Sequence, residues 1–552
     1  MIANNIKVSI SGMEIEIASG ASLLEVSKMF DVKGNRKPII AKVNGRYREL
    51  FEEVKDGDQI EFLDLTNVAA NRVYVNGLIF LLNYAFYQIY GDKIIVTVKH
   101  SVDKALCLET SQKISKEELK DVEKKMRAVV EANLPITKVT VLKAEAIDYF
   151  IKKHDEKKAK LLRYMTNTYV HLYKMGNLYN YVFSMLPSET EELNEFELTY
   201  LNENEFVLQF PTIYINDHIK EYKHHEKLFE VFNEEKEWGK LIHVETASDL
   251  NDVVSKGYID YLIRINETLM NNKILDQVKA IKNSGNKIKV VLISGPSSSG
   301  KTTSCAKLAM YLHSFGLIPR MISMDNFFKD RVDTPKKPNG DYDFECLEAI
   351  DLKLFNKTIK DLLDGKTVKM PIFDFYAGEK KFKETMTLSN SDILLIEGIH
   401  ALNPKLLADI PKENKYKVYL SPLTAVNIDK DNRMSTTDNR LLRRMIRDNR
   451  TRGYTVSQTL DIWDDVREGE EKYIFAYQDE ADYVFNTSLI YEFCVLKTYV
   501  LPLLYSVQPD DPNYSEAVRL MKLLNVFLPV PSEAIPGDSV LREFIGGGCF
   551  HI

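Results

Sequence analysis

Cysteine is scarce in this sequence, which has only five among its 552 residues and no CxxC pair. An odd number of scattered cysteines argues against a disulfide framework and against a zinc site built on thiolates. Long apolar runs are also missing, because none approaches the ~20 residues that a membrane-spanning helix requires. The N-terminal residues alternate between polar and apolar types and lack the apolar core of a signal peptide. These absences predict a cytoplasmic protein without a membrane partner.

The sequence has no excess of positive charge either, since 73 basic side chains face 80 acidic ones. A net charge of −7 gives the whole chain no attraction for nucleic acid or an anionic membrane, although a local basic patch could provide one. Hydrophobic residues make up 45% and charged residues 28%, which is typical of a globular chain with an ample core. At about 150 residues per domain, the length predicts three or four domains.

The strongest chemical signal is a glycine-rich loop between a strand and a helix. The largely apolar stretch 289–293 predicts a buried strand, the sequence GPSSSGKT follows at 295–302, and a helical pattern begins at once. This is the context of a phosphate-binding P-loop, in which glycines let backbone N–H groups turn inward and the helix adds its positive end. Lys301 can reach the outer phosphates of a nucleotide, and the Thr302 hydroxyl suits Mg²⁺. The predicted phosphate-binding residues are Gly295, Pro296, Ser297, Ser298, Ser299, Gly300, Lys301, Thr302 and Thr303.

Two acidic side chains are predicted at the ends of further strands. Asp325 ends the strand predicted within 319–328, and Glu397 ends the one predicted within 392–402. Because ligands of α/β folds bind outside the carboxyl ends of strands, both carboxylates should face the P-loop, where Glu397 could hold Mg²⁺ or its water. A single acid at such a position would more often be a surface charge, but two in this order favour a catalytic site.

An arginine-rich segment follows, because residues 437–453 contain six arginines. On a helix, such a run could form merely a solvated or RNA-binding face. Its place after the second acidic strand instead predicts a lid, whose guanidinium groups close on a transferring phosphate and neutralise its charge.

The order of GPSSSGKT, DNFF, DYDFECLEAID, IFDF, IEGIH and DNRLLRRMIRD resembles that of uridine kinases, within the phosphoribulokinase/uridine kinase family, over about residues 285–500. The resemblance implies a kinase that uses ATP and Mg²⁺, with Thr302 and Glu397 as metal ligands. Asp325 would accept the proton of a sugar hydroxyl. The implied catalytic residues are Asp325, Lys301, Arg447 and Arg452, the two arginines being lid residues that contact phosphates. The implied substrate-binding residues are Asp325, Phe328, Glu345, Phe373 and Arg440, with Glu345 in place of an aspartate that contacts the ribose hydroxyls.

The sequence departs from this family where the nucleoside base is read. The family has tyrosine and, five residues later, histidine, whereas this sequence has Phe373 and Gly378. An aromatic face for stacking remains, but the imidazole is missing. Hydrogen bonds supply most of the discrimination among polar ligands of similar shape. Phosphoryl transfer is therefore better supported than specificity for a pyrimidine.

Two further resemblances concern the first 240 residues. Strand-like stretches around a short helix at Ser22–Met29 resemble the β-grasp TGS domain of threonyl-tRNA synthetases. The following region resembles the second additional domain of threonyl- and alanyl-tRNA synthetases, which removes mischarged amino acids with an HxxxH pair and a later Cys/His pair. Asn76 and Phe80 occupy the first two of these positions, so we expect the fold without zinc or editing chemistry. Helices are expected there near Gly77–Tyr90, Lys116–Ala132 and Ala144–Tyr164.

Together these patterns predict an α/β protein in which residues 285–552 form a P-loop NTPase kinase domain on a parallel sheet. A β-grasp domain at 1–66, an α+β synthetase-like domain at 67–240 and a helical linker at 241–284, which could also pack the halves together, precede it. The predicted reaction is ATP-dependent phosphorylation of a nucleoside at a sugar hydroxyl, with uridine or cytidine as the first expectation.

Two alternatives stay open. A phosphoribulokinase-like enzyme would act on a sugar phosphate and would need additional basic residues for the substrate's own phosphate. A regulator would bind RNA or a protein partner through its N-terminal domains and use ATP binding as a switch, although the presence of Asp325 argues against it. The preferred nucleoside and the oligomeric state do not follow from the sequence.

Overall fold

The computed structural model describes residues 5–29, 36–213, 218–285, 287–337, 340, 342–374, 377–424 and 426–550. Its first unit is a mixed sheet of order β2-β1-β5-β3-β4 with one helix. Its elements are β1 Asn5–Ile10, β2 Met13–Ala18, α1 Leu23–Met29, β3 Ile40–Val43, β4 Arg46–Glu49 and β5 Gln59–Leu63. Alternate residues of β1 and β2, such as Val8 and Ile17, share a core with Leu23 and Val26 of the helix. The short helix expected at Ser22–Met29 is present as α1, β1 and β2 pair as an antiparallel hairpin, and the TGS resemblance stays a prediction.

The second unit is an α+β arrangement with two antiparallel sheets, of order β11-β12-β7-β6 and β10-β9-β8. Its elements are α2 Val68–Tyr90, β6 Val96–Val102, β7 Ala105–Thr110, α3 Lys116–Glu131, β8 Ile136–Leu142, α4 Lys143–Lys152, α5 Glu156–Arg163, β9 Tyr169–Met175, β10 Leu178–Asn180, β11 Glu197–Tyr200 and β12 Glu205–Gln209. The single helix expected over 144–164 is two helices. The chain turns at His154, which has a φ of 56°, and α5 restarts after Asp155, whose side chain accepts the Lys158 N–H.

Three helices follow: α6 Glu226–Leu241, α7 Ala247–Ser255 and α8 Ile259–Asn283. The segment 241–284 is thus largely helical, as expected. Its last helix does more than connect, because Ile263, Ile274 and Val278 are buried in the same core as Val291 and Leu308 of the C-terminal half.

The C-terminal half is built on five parallel strands in the order β14-β17-β13-β18-β19, which confirms the predicted parallel sheet. Its elements are β13 Val290–Ser294, α9 Lys301–Ser314, β14 Ile318–Ser323, α10 Leu352–Leu363, β15 Val368–Asp374, β16 Glu379–Met386, β17 Asp392–Glu397, β18 Lys415–Ser421, α11 Thr436–Arg452, α12 Val456–Asp461, α13 Trp463–Tyr473, β19 Tyr483–Asn486, α14 Glu492–Tyr505, α15 Tyr514–Leu524 and α16 Arg542–Ile545. Every residue of β13 is buried, as expected for a central strand covered on both faces. A separate antiparallel pair, β15 and β16, stands beside this sheet.

The two halves of the chain share an apolar core. Cys107, Phe229 and Phe232 pack in one cluster with Tyr419 and Leu423. Backbone groups add to this junction, since the Val98 N–H donates to the Lys430 carbonyl at 2.8 Å. In the described part of the chain, none of the helices combines the length and the apolar character of a membrane span.

Candidate active site

The P-loop lies between β13 and α9, in the strand–loop–helix order that the sequence predicts. Two of its glycines are required by close contacts. A Cβ atom on Gly295 would lie 2.2 Å from the Leu420 carbonyl oxygen, and Gly300 has a φ of 83° with Val540 packed against it. Both positions therefore exclude other residues. The loop consequently runs close to β18 and to the C-terminal segment.

Several hydroxyl groups in and after the loop are buried without a hydrogen-bond partner in the described structure. They belong to Ser298, Ser299, Thr303 and Ser304. Leaving a buried hydroxyl unpaired is unfavourable, so such groups indicate a missing polar ligand. Together with the positive end of α9, they fit the phosphates of a bound nucleotide.

Lys301 holds its ammonium group over this loop. Its Nζ donates to the Gly295 carbonyl at 2.8 Å and to the Pro296 carbonyl at 3.0 Å. Burial lowers the pKa of Lys301, while the charges of Glu397, Glu543 and Asp325 oppose that change. A cation bound only to two carbonyl oxygens can exchange them for phosphate oxygens at little cost.

The two predicted acids meet beside the P-loop. Asp325 lies in the turn that follows β14, and Glu397 is the last residue of β17, which pairs with β14 in register at Ser323. Burial raises the pKa of Asp325 to about 6, with the nearby Glu397 carboxylate adding to this and Lys301 opposing it. A carboxylate with a raised pKa is a stronger base.

Thr302 and Glu397 are also the residues that could hold Mg²⁺. No group of three or more metal-binding side chains occurs in the described parts of the chain. Two protein ligands still fit this ion, because Mg²⁺ is usually bound by one or two side chains together with substrate phosphates and water.

Glu345 faces the same cleft. Burial raises its pKa, and the carboxylate of Glu470 adds to the shift, while Arg444 and Lys301 oppose it. Asp325 is also among the charges that act on Glu345, so the predicted substrate-binding acid and the predicted base lie in one electrostatic neighbourhood.

The predicted aromatic residues are largely internal. Phe328 and Phe373 have ring centroids 5.7 Å apart, and both belong to the apolar core beneath the cleft. Gly378 has a φ of 74°, and a Cβ atom there would lie 2.9 Å from the Arg331 side chain. A histidine at this position would therefore collide with Arg331, which gives a structural reason for the departure at Gly378.

The arginine-rich segment does not form the separate lid that the sequence predicts. It is α11, whose residues Leu441, Leu442 and Met445 are buried in the core. Arg443 is completely buried and forms an ion pair with Glu492 at 2.6 Å. The helix is therefore packed into the core of the C-terminal half, and only some of its arginines remain available to a ligand.

Arg440, predicted to bind substrate, supports the P-loop from behind. It is 1% exposed, its Nε donates to the Ser297 carbonyl at 3.2 Å, and its terminal nitrogen pairs with Glu470. The same carboxylate accepts the Ser297 N–H at 2.8 Å. In this arrangement, Arg440 contacts the loop and not the open cleft.

Arg447 and Arg452, the two arginines predicted to act in catalysis, both lie beside one buried acid, Asp448. Arg447 donates to it at 2.8 Å, Arg452 lies 3.4 Å from it, and Arg444 lies 3.1 Å from it. Arg444 also donates to the Ser297 hydroxyl at 2.7 Å. Asp448 thus holds three guanidinium groups at one side of the P-loop.

Two carboxylates that the sequence does not predict accept hydrogen bonds from backbone N–H groups of the P-loop region. One is Glu470, described above. The other is Glu543 of α16, whose Oε2 accepts the Thr303 N–H at 3.1 Å. Arg450 holds this segment in place by donating to the Glu543 carbonyl at 2.8 Å. Glu543 therefore accepts the Thr303 N–H at the start of α9, a hydrogen bond that a phosphate oxygen would otherwise accept.

Glu543 should compete with bound phosphate. We expect Glu543→Gln to bind ADP roughly threefold to tenfold more tightly, because a negative charge at the start of the helix is removed. Isothermal titration calorimetry measures this change. Glu533→Gln is the matched control, since Glu533 is exposed in the same C-terminal segment. Unchanged or weaker ADP binding in Glu543→Gln would contradict the competition.

Asn76 and Phe80, the two positions aligned with the HxxxH pair, lie in different environments. Phe80 is 1% exposed in the core of the second unit, whereas Asn76 lines a cavity between the two halves of the chain. Neither an amide nor a phenyl group replaces imidazole as a zinc ligand.

Comparison with known proteins identifies residues 290–489 as a match to the family described as Phosphoribulokinase / Uridine kinase. A uridine kinase from Ligilactobacillus salivarius is 30% identical over 179 residues, which cover 32% of this chain and 75% of that protein. One from Macrococcus caseolyticus is 31% identical over 179 residues, covering 32% and 76%. Uridine-cytidine kinase 2-B from Danio rerio is 30% identical over 177 residues, covering 31% and 61%.

Proposed function

The chain belongs to the phosphoribulokinase/uridine kinase family, and on this basis we propose that it transfers the γ-phosphate of ATP to a sugar hydroxyl of a nucleoside. One observation carries the proposal. Lys301 follows β13, Asp325 follows β14 and Glu397 ends β17, and these three strands are neighbours in one parallel sheet. The carboxyl edge of such a sheet is where α/β folds bind their ligands.

The residues divide the work of phosphoryl transfer between them. The loop from Gly295 to Thr303 holds the phosphates, and Thr302 with Glu397 holds Mg²⁺. Bound ATP with Mg²⁺ supplies the phosphoryl group and neutralises part of its charge. Lys301 moves its N–H groups from the two loop carbonyls to phosphate oxygens. Asp325 accepts the proton of the attacking hydroxyl, and Arg447 and Arg452 balance the remaining negative charge.

Nucleoside recognition relies on the cleft beside Asp325. Glu345 accepts hydrogen bonds from the ribose hydroxyls, while Phe328 and Phe373 form the apolar wall near the base. The names of the similar proteins put uridine and cytidine first among the candidate substrates. Arg331 fills the space next to Gly378, where the imidazole of the family would otherwise stand.

A substrate panel tests the proposal. Purified protein is incubated with Mg²⁺ and ATP plus uridine, cytidine, adenosine, guanosine or ribulose 5-phosphate, and ADP release is followed together with the phosphorylated product. We expect uridine or cytidine to give the highest kcat/KM. Transfer to ribulose 5-phosphate alone would identify a sugar-phosphate kinase. ATP binding without transfer to any acceptor would favour the regulator that uses ATP as a switch.

A further inference from the structure

A cavity of about 480 Å³ lies between the second unit and the C-terminal half, away from the P-loop. Its walls include residues of α2, α11, α13 and α15 and of loops, one of which carries Arg433. This volume lies within the range of small-molecule binding sites, which occur preferentially at interfaces between domains. Neither Lys301, Asp325 nor Glu397 contributes to it, so it is a different site from the one described above.

One cation in this wall has no hydrogen-bond or ion-pair partner among the described residues. Arg433 forms neither a hydrogen bond nor an ion pair with any described residue, yet burial lowers its pKa to about 10. Several other charges nearby are already paired: Arg519 binds Asp438 and Glu516, which also binds Arg72 at 2.9 Å. A guanidinium group with five donors and no acceptor in reach favours an anion.

The rest of the lining limits what this anion can be. Apolar side chains form much of the wall, among them Ile79, Phe183, Phe210 and Leu441. Asp464 stands at the rim and is exposed, without an ion-pair partner among the described residues, and its carboxylate disfavours a ligand with several negative charges. The wall thus fits one anionic group attached to an apolar body.

We propose that this cavity binds a small organic anion whose single carboxylate or phosphate group pairs with Arg433 and whose apolar part packs on Ile79 and Phe183. The site is linked to the P-loop by direct contacts. Arg467 lines the cavity and donates to Glu470 at 3.0 Å, and Glu470 accepts the Ser297 N–H. Trp463, also in the wall, lies 5.4 Å from the Arg440 guanidinium. An occupant therefore touches the side chains that support the nucleotide loop.

Trp463 makes this binding observable. The chain has only two tryptophans, so Trp238→Phe leaves Trp463 as the sole indole. The probes are benzoate and phenyl phosphate, which present a carboxylate and a phosphate on the same apolar ring. We expect at least one of them to change Trp463 emission with a saturable curve. Comparison of the two distinguishes the anionic group that the cavity prefers.

Further substitutions in the Trp238→Phe protein locate the bound probe. Arg433→Met should weaken binding at least about tenfold, because the charge-assisted hydrogen bonds are lost. Arg264→Met, at an exposed arginine of α8, is the matched control and should bind normally. Lys301→Ala should also bind normally, because the probe does not occupy the P-loop. Asn76→Phe fills the cavity while keeping Arg433 and should abolish binding, with thermal unfolding as the check that each variant folds.

Three results would overturn the proposal. The first is no saturable change in emission with either probe. The second is binding that Arg433→Met and Asn76→Phe leave intact. The third is binding that Lys301→Ala removes and Arg433→Met does not, since the probe would then occupy the P-loop.

Discussion

Lys301→Ala should lower the rate of phosphoryl transfer at least about a thousandfold, with the fold intact. Removing one preorganised donor from a site of developing negative charge costs about 10²–10³ in rate, and Lys301 supplies a full charge in addition. The fold should survive, because the Gly295 and Pro296 carbonyls are the only hydrogen-bond partners of the lysine Nζ among the described residues. Single-turnover transfer from ATP to the best nucleoside, beside a thermal unfolding curve, measures both properties.

The control for this variant is Lys289→Ala. Lys289 precedes the same strand at its opposite end, where its Nζ donates to the Asn390 carbonyl at 3.2 Å. Loss of one lysine there should leave the rate within about twofold of the wild type. A well-folded Lys301→Ala protein with a near-normal rate would show that the P-loop assignment is wrong.

Asp325→Asn should retain ATP binding while turnover of the best nucleoside falls at least about a hundredfold. A sugar hydroxyl is a weak nucleophile at neutral pH, and general-base assistance contributes on the order of 10²–10⁴-fold. Asparagine keeps the shape of the side chain but cannot accept the proton. Asp333→Asn, an exposed aspartate in the next turn, is the matched control. ATP affinity and Mg²⁺ dependence are measured for each protein, because Asp325 also lies near Glu397, which we propose as a ligand of Mg²⁺.

The pH profile gives a second test of the same residue. The pKa of Asp325 is raised to about 6, so its carboxylate is increasingly protonated as the pH falls through that value and can no longer act as a base. Wild-type turnover should therefore decrease on the acid side. The decrease should be centred no higher than about pH 6, since a cation at Glu397 opposes the contribution of that carboxylate. The Asp325→Asn protein should lack this decrease of turnover at acid pH. Equal rates for the two proteins across the pH range would exclude Asp325 as the base.

The parts of the candidate site that the sequence predicts are local in the chain. The P-loop follows the buried strand β13, Glu397 ends the buried strand β17, and Asp325 follows β14, which is largely exposed. The geometry of a parallel sheet then brings these strand ends together. Glu470 and Glu543 could not be found in this way. They bind loop and helix N–H groups from 173 and 240 residues further along the chain, and nothing in their own neighbourhood signals that contact.

The place of segment 437–453 after the second acidic strand predicts a lid, and its six arginines favour a solvated face, because arginine is usually exposed. Neither feature indicates that the helix is buried. The deciding partner of Arg443 is Glu492, 49 residues away, which makes burial of that guanidinium tolerable. The break in the helix expected over 144–164 has a different cause, because the backbone takes a positive φ at His154, between α4 and α5.

Because α8 is buried against the P-loop half, this half cannot be separated from the chain at the point where its sequence similarity begins. Sequence similarity to the kinase family begins at residue 290, whereas the apolar face of this helix, with Ile263, Ile274 and Val278, lies in one core with Val291. Cutting the chain at the start of the similarity would leave that core open to water over a helix 25 residues long. The segment that is similar to the kinase family is therefore shorter than the segment that folds as one cooperative unit. Any shuffling of this catalytic half into another chain would have to carry the preceding helix with it.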